Sequence, residues 1–98
     1  MRMLLKVSPQ GELGNKAIVD GTFGRVFGQF AERFHPEATY FVTENGQRTA
    51  MIFFDLKAES DMVAAAEPFW NELHGTVDWC PAMTPDDVQK GLAALAKR

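Results

Sequence analysis

Apolar residues occupy both alternating sets of positions in two strand-like runs that flank Asn45-Gly46, between residues 38 and 57. An Asn-Gly pair predicts a hairpin with a two-residue type I′ turn, because both central residues of that turn need positive φ angles. Such a turn places Glu44 opposite Gln47, and each opposed pair beyond it shares one side of the sheet. One face of the predicted sheet then carries Phe41, Ala50, Ile52 and Phe54, and the other carries Tyr40, Val42, Met51 and Phe53. We therefore expect both faces of the sheet to need cover.

Helical periodicity precedes the hairpin, where apolar residues recur every three or four positions. The spacing predicts a first helix that Asn15 caps and that ends near Phe34, since His35 precedes a proline. The sequence allows a break at Asp20-Gly21-Thr22, where Thr22 offers a second cap.

A second helix is predicted after the hairpin, from the capping residue Ser60 to Gly75, a typical C-terminal stop. Pro68 lies inside this segment, where it removes one backbone hydrogen bond and clashes with the preceding turn. We therefore expect a kink or two abutting helices at this position.

The two ends of the chain supply the remaining elements. The pattern of residues 2–8 predicts a first strand. The pattern of residues 76–83 predicts another strand, which Pro81 restricts to a sheet edge. Thr84-Pro85-Asp86-Asp87 has the pattern of a capping box with proline at the first helical position. A short terminal helix should follow, with its apolar residues inward: Val88, Leu92 and Leu95.

The predicted order is β-α-β-β-α-β with a C-terminal helix, which is the α+β ferredoxin-like arrangement in a single domain of residues 1–98. In that four-stranded antiparallel sheet the first and third strands are central. These are also the strands without an interior proline and with the fewest polar interruptions. Two helices can cover only one face, so we expect a second copy of the chain to cover the other as a homodimer.

Composition narrows the classes of function. With 46% hydrophobic and 23% charged residues the chain is typical of a soluble globular protein. Its formal net charge of −3 argues against nucleic acid as a partner, because phosphate binding needs a basic surface. The apolar runs are too short for a membrane span or a signal sequence, and the single cysteine cannot form an internal disulfide, so we expect a cytoplasmic protein.

The element order, chain length and two-sided strands resemble the dimeric α+β barrel superfamily. Three segments are also similar to those of small bacterial proteins of that superfamily with no known activity: Tyr40 to Thr49, Ala66-Glu67-Pro68-Phe69-Trp70 and Met83 to Asp87. The resemblance implies two ferredoxin-like subunits with their sheets packed face to face. The superfamily includes cofactor-free monooxygenases, muconolactone isomerases and haem-binding enzymes, so the resemblance does not select a reaction.

The candidate catalytic residues are His74 and Asp78, which could form a general-base pair if the turn at Gly75 brings them together. Both histidines, His35 and His74, also have a structural explanation, because an imidazolium is favourable at the C-terminal end of a helix. Haem is a minor alternative, and the spacing of histidines and cysteine predicts no metal site.

The candidate ligand-binding residues are Tyr40, Arg48, Trp70 and Trp79. The polar residues among them could orient a small molecule in an apolar cavity, and the two tryptophans could line it. Each also has a structural alternative: Arg48 as a cross-strand partner near the turn, Tyr40 at the subunit interface and the tryptophans in the core. Cys80 is expected to be a small buried residue rather than a nucleophile.

These observations favour a homodimer with a small apolar cavity between sheet and helices. The cavity would bind a small apolar or aromatic molecule, without a bound cofactor, and the protein is either a binder or a cofactor-free monooxygenase or isomerase. The alternative is a non-enzymatic structural or interaction module that sheet-on-sheet dimerisation assembles.

Overall fold

The computed structural model describes residues 1–97 and contains one four-stranded antiparallel sheet and four helices. The elements are β1 (Arg2–Pro9), α1 (Gly11–Val19), α2 (Thr22–Phe34), β2 (Ala38–Glu44), β3 (Gln47–Asp55), α3 (Asp61–Leu73), β4 (Gly75–Pro81) and α4 (Pro85–Ala96). The predicted α+β class is confirmed. The first helical segment breaks where the sequence allows it, since Gly21, at a φ of 90°, separates α1 from α2; the N-cap of α2 is Gly21 and not Thr22.

The strands are arranged in the order β2-β3-β1-β4. The first and third strands are therefore central, as predicted, and Pro81 ends an edge strand, where it interrupts no second ladder. None of the helices of residues 1–97 combines the length and apolar character that crossing a bilayer requires.

The hairpin has the predicted register. Asn45 and Gly46 have φ angles of 54° and 75°, as a type I′ turn requires. Glu44 faces Gln47, and Phe41 faces Ala50 further along the same ladder. The alternation of side chains is thereby fixed across the whole sheet.

Two helix predictions need correction. Helix α1 begins at Gly11 rather than Asn15, because the carbonyl of Gln10 already accepts the first helical hydrogen bond, from the Gly14 amide at 2.9 Å. Helix α3 continues through Pro68, so the alternative of two abutting helices is wrong. Ser60 is at the predicted N-cap position, but its side chain makes no capping hydrogen bond.

Helices α1, α2 and α3 cover one face of the sheet and enclose the core. The buried residues of the sheet alternate along the central strands, since every second side chain points towards the helices. Aromatic rings join the layers: Phe30 of α2 lies 5.2 Å from Phe54 of β3 and 5.5 Å from Phe69 of α3, between ring centroids. The core residues of the central strands are Met3, Leu5, Val7, Ala50, Ile52 and Phe54.

The opposite face of the sheet, which we call the open face, carries no helix. Tyr40 and Val42 point to this face and are 60% and 38% exposed. Met51, which is opposite Tyr40 in the β2–β3 ladder, points to it as well. Leu4 and Phe53, paired across β1 and β3, are half-buried there. The open face is thus a largely apolar surface at the centre of the sheet.

Helix α4 differs from its prediction. The capping box is confirmed: the Thr84 amide donates to the Asp87 carboxylate at 3.0 Å, and the Asp87 amide donates to the Thr84 hydroxyl at 3.1 Å. Its apolar residues, however, do not point inward: Val88, Leu92 and Leu95 are 40%, 54% and 57% exposed. No side chain of α4 is buried.

Candidate functional site

The helix-facing side of the sheet holds an apolar cleft at its β2 edge. It has a volume of about 410 Å³ and lies between the α1–α2 segment and the β2–β3 hairpin. The residues that line it are Pro9, Ile18, Phe23, Phe41, Val42, Thr43, Arg48, Thr49 and Ala50. This volume is in the range of small-molecule sites, about 300–1,000 Å³.

Phenylalanine rings form the wall of the cleft. Phe41 of β2 lies 5.8 Å from Phe23 and 5.5 Å from Phe27, both on α2, between ring centroids. Phe41 is nevertheless 62% exposed, since no helix lies over β2 beyond these contacts. The cleft is therefore an open slot beside these contacting rings and not part of the closed core.

Polar groups lie at the end of the cleft next to the hairpin turn. Arg48 and Thr43 are paired across the ladder and point to the same face. The guanidinium of Arg48 donates through Nη2 to Oδ1 of Asn15 on α1, so it bridges the sheet and the helix layer. An apolar wall thus ends in a fixed cation.

Two local features hold this end in place. Ser8 is buried, and its hydroxyl donates to the carbonyl oxygen of Arg48 at 2.7 Å, which ties the start of β3 to β1. Gly14 brings α1 close to the end of β1, because a Cβ at that position would lie 2.9 Å from the carbonyl carbon of Pro9. Asn15, the next residue, consequently reaches Arg48.

Of the four predicted ligand-binding residues, only Arg48 lines this cleft. Tyr40 points to the open face, as the interface alternative requires. Trp70 is 45% exposed on α3, whereas Trp79 packs against Phe54 with ring centroids 5.9 Å apart. The tryptophans have different surroundings, and among residues 1–97 no ring contact joins them.

His74 and Asp78 are not brought together. His74 is the C-cap of α3, with a φ of 52°, and its carbonyl accepts from the Gln10 amide at 3.2 Å. Asp78 is four residues further along, which corresponds to about 13 Å in extended chain. Within the described part of the chain no hydrogen bond or ion pair links them, so the geometry offers no general-base pair.

Asp78 instead belongs to a polar depression on the open face. It is opposite Lys6 in the β1–β4 ladder. The Nζ of Lys6 donates a hydrogen bond of 2.9 Å to the carboxylate of Glu44 on β2. This hydrogen bond, together with the negative charge of Glu44, raises the pKa of Lys6. The depression measures about 170 Å³ and is mainly polar, so it is a poorer site for an apolar molecule than the cleft.

Cys80 is exposed on the same face, so the expectation of a buried residue is wrong. It faces Leu4 across the β1–β4 ladder. Among residues 1–97 there is no group of three histidine, cysteine or acidic side chains arranged to hold a metal ion.

Sequence reasoning missed most of the cleft residues. Asn15 was predicted only as a helix cap, and Ile18, Phe23 and Thr43 were not predicted as site residues. The register of the hairpin does place Phe41, Thr43, Arg48 and Ala50 on one face. It does not predict that the helices leave the β2 end of that face uncovered.

A comparison of the chain with protein-family models and with curated proteins finds no match.

Proposed function

We propose that this protein binds a small apolar or aromatic molecule in the cleft between α1, α2 and the β2–β3 hairpin. The observation that carries the proposal is the apolar slot of about 410 Å³ whose wall includes Phe23, Phe41 and Ile18. Burying such surfaces against a ligand is favourable by about 25 cal/mol per Å². Binding of this kind needs no bound cofactor.

Binding is better supported than catalysis. The polar side chains on the cleft's face of the sheet are those of Thr43 and Arg48, since Thr49 is opposite Val42 and points to the open face. At neutral pH hydroxyl and guanidinium groups donate hydrogen bonds and orient a ligand, but they do not act readily as general bases. His74 and Asp78 could act as general bases, but neither residue lines the cleft.

The proposal is tested by measuring the binding of neutral aromatic probes, such as indole, naphthalene and toluene, with ligand-observed NMR. The variant Ile18→Trp fills the cleft and should abolish binding, whereas Val63→Trp on the exposed side of α3 should leave it unchanged. Absence of binding to the unaltered protein would overturn the proposal. Retention of affinity by Ile18→Trp, with its fold verified, would place any binding elsewhere.

We further propose that the subunit is ferredoxin-like and forms a homodimer through its open face, as in dimeric α+β barrels. Tyr40, Val42 and Phe53 belong to this surface. Two sheets packed face to face would remove both open faces from water at once. Sedimentation at micromolar concentration tests this, and a monomer would contradict it.

A second candidate function, an assembly module without a ligand, is favoured by that same open face. The two candidates separate by experiment. A dimer that binds no aromatic probe supports the module, and a dimer whose probe binding depends on Ile18 supports the binding protein.

A further inference from the structure

We infer that the ligand of the cleft is a small carboxylic acid with an apolar body, whose carboxylate is bound by Arg48. This inference rests on the proposed binding function and adds the chemical class of the ligand. It follows from the position and the partners of Arg48 and from the size of the apolar space beside it.

Arg48 lines the cleft and has no acidic partner within the described residues; Lys16 and Arg33 also lack one, whereas other cations of the sheet and helices are paired. Four ion pairs are formed there: the amino terminus with Asp55, Arg2 with Glu37, Lys6 with Glu44, and Arg25 with Glu72. A guanidinium is always charged and has five N–H donors. Arg48 uses one of them for the neutral amide of Asn15, so its charge is not compensated by the protein.

The bond to Asn15 also fixes where the cation lies. It ties the guanidinium between α1 and the sheet, at the edge of the apolar wall, and Thr43 adds a hydroxyl opposite Arg48. A pre-positioned planar guanidinium matches the two oxygens of a carboxylate and loses little side-chain entropy on binding. Arg48 is the one cation among the nine lining residues, which favours a monoanion over a phosphate dianion.

The apolar space determines the body of the ligand. An apolar cavity of about 150 Å³ accommodates a benzene ring, whereas this cleft has about 410 Å³. A ring with a short side chain can therefore lie against Phe23 and Phe41, which contact each other, while its acid group reaches Arg48. A purely polar acid would make no apolar contact with those rings.

The test compares matched acids and amides, which differ only in the charged group. The pairs are phenylacetate and phenylacetamide, cyclohexylacetate and cyclohexylacetamide, and naphthylacetate and naphthylacetamide, with benzylphosphonate, measured at a pH where it is fully ionised, as a dianion. We expect the protein to bind the best acid roughly 10- to 100-fold more tightly than its amide. Arg48→Gln should remove that preference, because the affinity for the acid falls far more than the affinity for the amide.

Arg25→Gln is the matched control, since it makes the same charge change on α2 at a residue that pairs with Glu72 outside the cleft. Its acid preference should equal that of the unaltered protein. Equal binding of acid and amide, or tighter binding of benzylphosphonate, would overturn the inference and leave the proposed function intact. Failure of every acid, every amide and every neutral aromatic probe to bind would overturn both.

Discussion

Tyr40 and Phe41 are adjacent on β2 and almost equally exposed, at 60% and 62%, yet their side chains lie on opposite faces of the sheet. Phe41 contacts the rings of α2 and lines the cleft, whereas Tyr40 belongs to the open face. The two proposed roles of the protein, ligand binding and association, therefore meet in one pair of neighbouring residues.

Replacing Phe41 by alanine should weaken the binding of aromatic probes by about tenfold, because one wall of the cleft loses its apolar surface. The free energy of unfolding should fall by only about 1 kcal/mol, since the ring is largely exposed. Titration calorimetry and chemical denaturation measure the two effects. Tyr40→Ala is the control: it should leave probe affinity unchanged, and an equal loss in both variants would contradict the division of faces.

A carboxylate in the open face should prevent association. In Phe53→Glu the charge replaces a half-buried ring, and burial of an unpaired charge between two sheets is strongly unfavourable. Sedimentation velocity should then report a monomer, whereas we expect the unaltered protein to be a dimer. Val63→Glu, on the exposed side of α3, introduces the same charge and should remain dimeric.

Leucines of α3 and α4 should differ in their contribution to stability. Leu73 is fully buried, so Leu73→Ala should lower the free energy of unfolding by about 2–5 kcal/mol. Leu92 is 54% exposed, so Leu92→Ala should change it by less than about 0.5 kcal/mol. Urea denaturation at two protein concentrations measures both. A loss in Leu92→Ala that depends on concentration would instead show that α4 contributes to the subunit interface.

The capping box of α4 predicts a pH dependence. The hydrogen bond from the Thr84 amide lowers the pKa of Asp87, and the Thr84 side chain acts in the same direction. A carboxylate with a lowered pKa stabilises the folded state above the ordinary aspartate pKa, about 3.9, and the contribution disappears as the pH falls through the lowered value. The protection factors of the amides of residues 85–96, which correct for the intrinsic pH dependence of exchange, should therefore fall below about pH 4.

Asp87→Asn should remove this acid-induced change, while Asp86→Asn, one residue earlier and outside the box, should retain it. Thr84→Ala should destabilise the helix by about 1 kcal/mol at neutral pH. Because no side chain of α4 is buried, the exchange of the β1 amides should be unaffected in all three variants. Faster exchange in β1 would show that α4 is part of the cooperative fold.

The elements and the register could be predicted because local signals determine them. Asn45-Gly46 requires its turn, and Thr84 with Asp87 requires its helix start, whatever the rest of the chain does. The start of α1 was missed because its N-cap residue, Gln10, makes no side-chain capping hydrogen bond. A helix that starts in this way has no capping residue that the sequence could reveal.

The site was less predictable because it depends on what the helices leave uncovered. Arg48 was identified as a candidate, but Asn15, its partner, is 33 residues away in the chain. Exposure of Val88, Leu92 and Leu95 is likewise invisible in their helical spacing, which is the same for a packed and an unpacked helix. Periodicity identifies an apolar stripe, and tertiary placement decides whether anything contacts it.

The alternation along β2 has an evolutionary consequence. Residues 39, 41 and 43 face the helix layer, and residues 40, 42 and 44 face the other way, so each set can accept substitutions with little direct effect on the other. Substitutions at the odd positions of β2 could change the ligand that descendants of this chain bind. The even positions would meanwhile keep the same mode of association. A single-residue insertion in the strand would end that independence, since it would exchange the two sets beyond the insertion point.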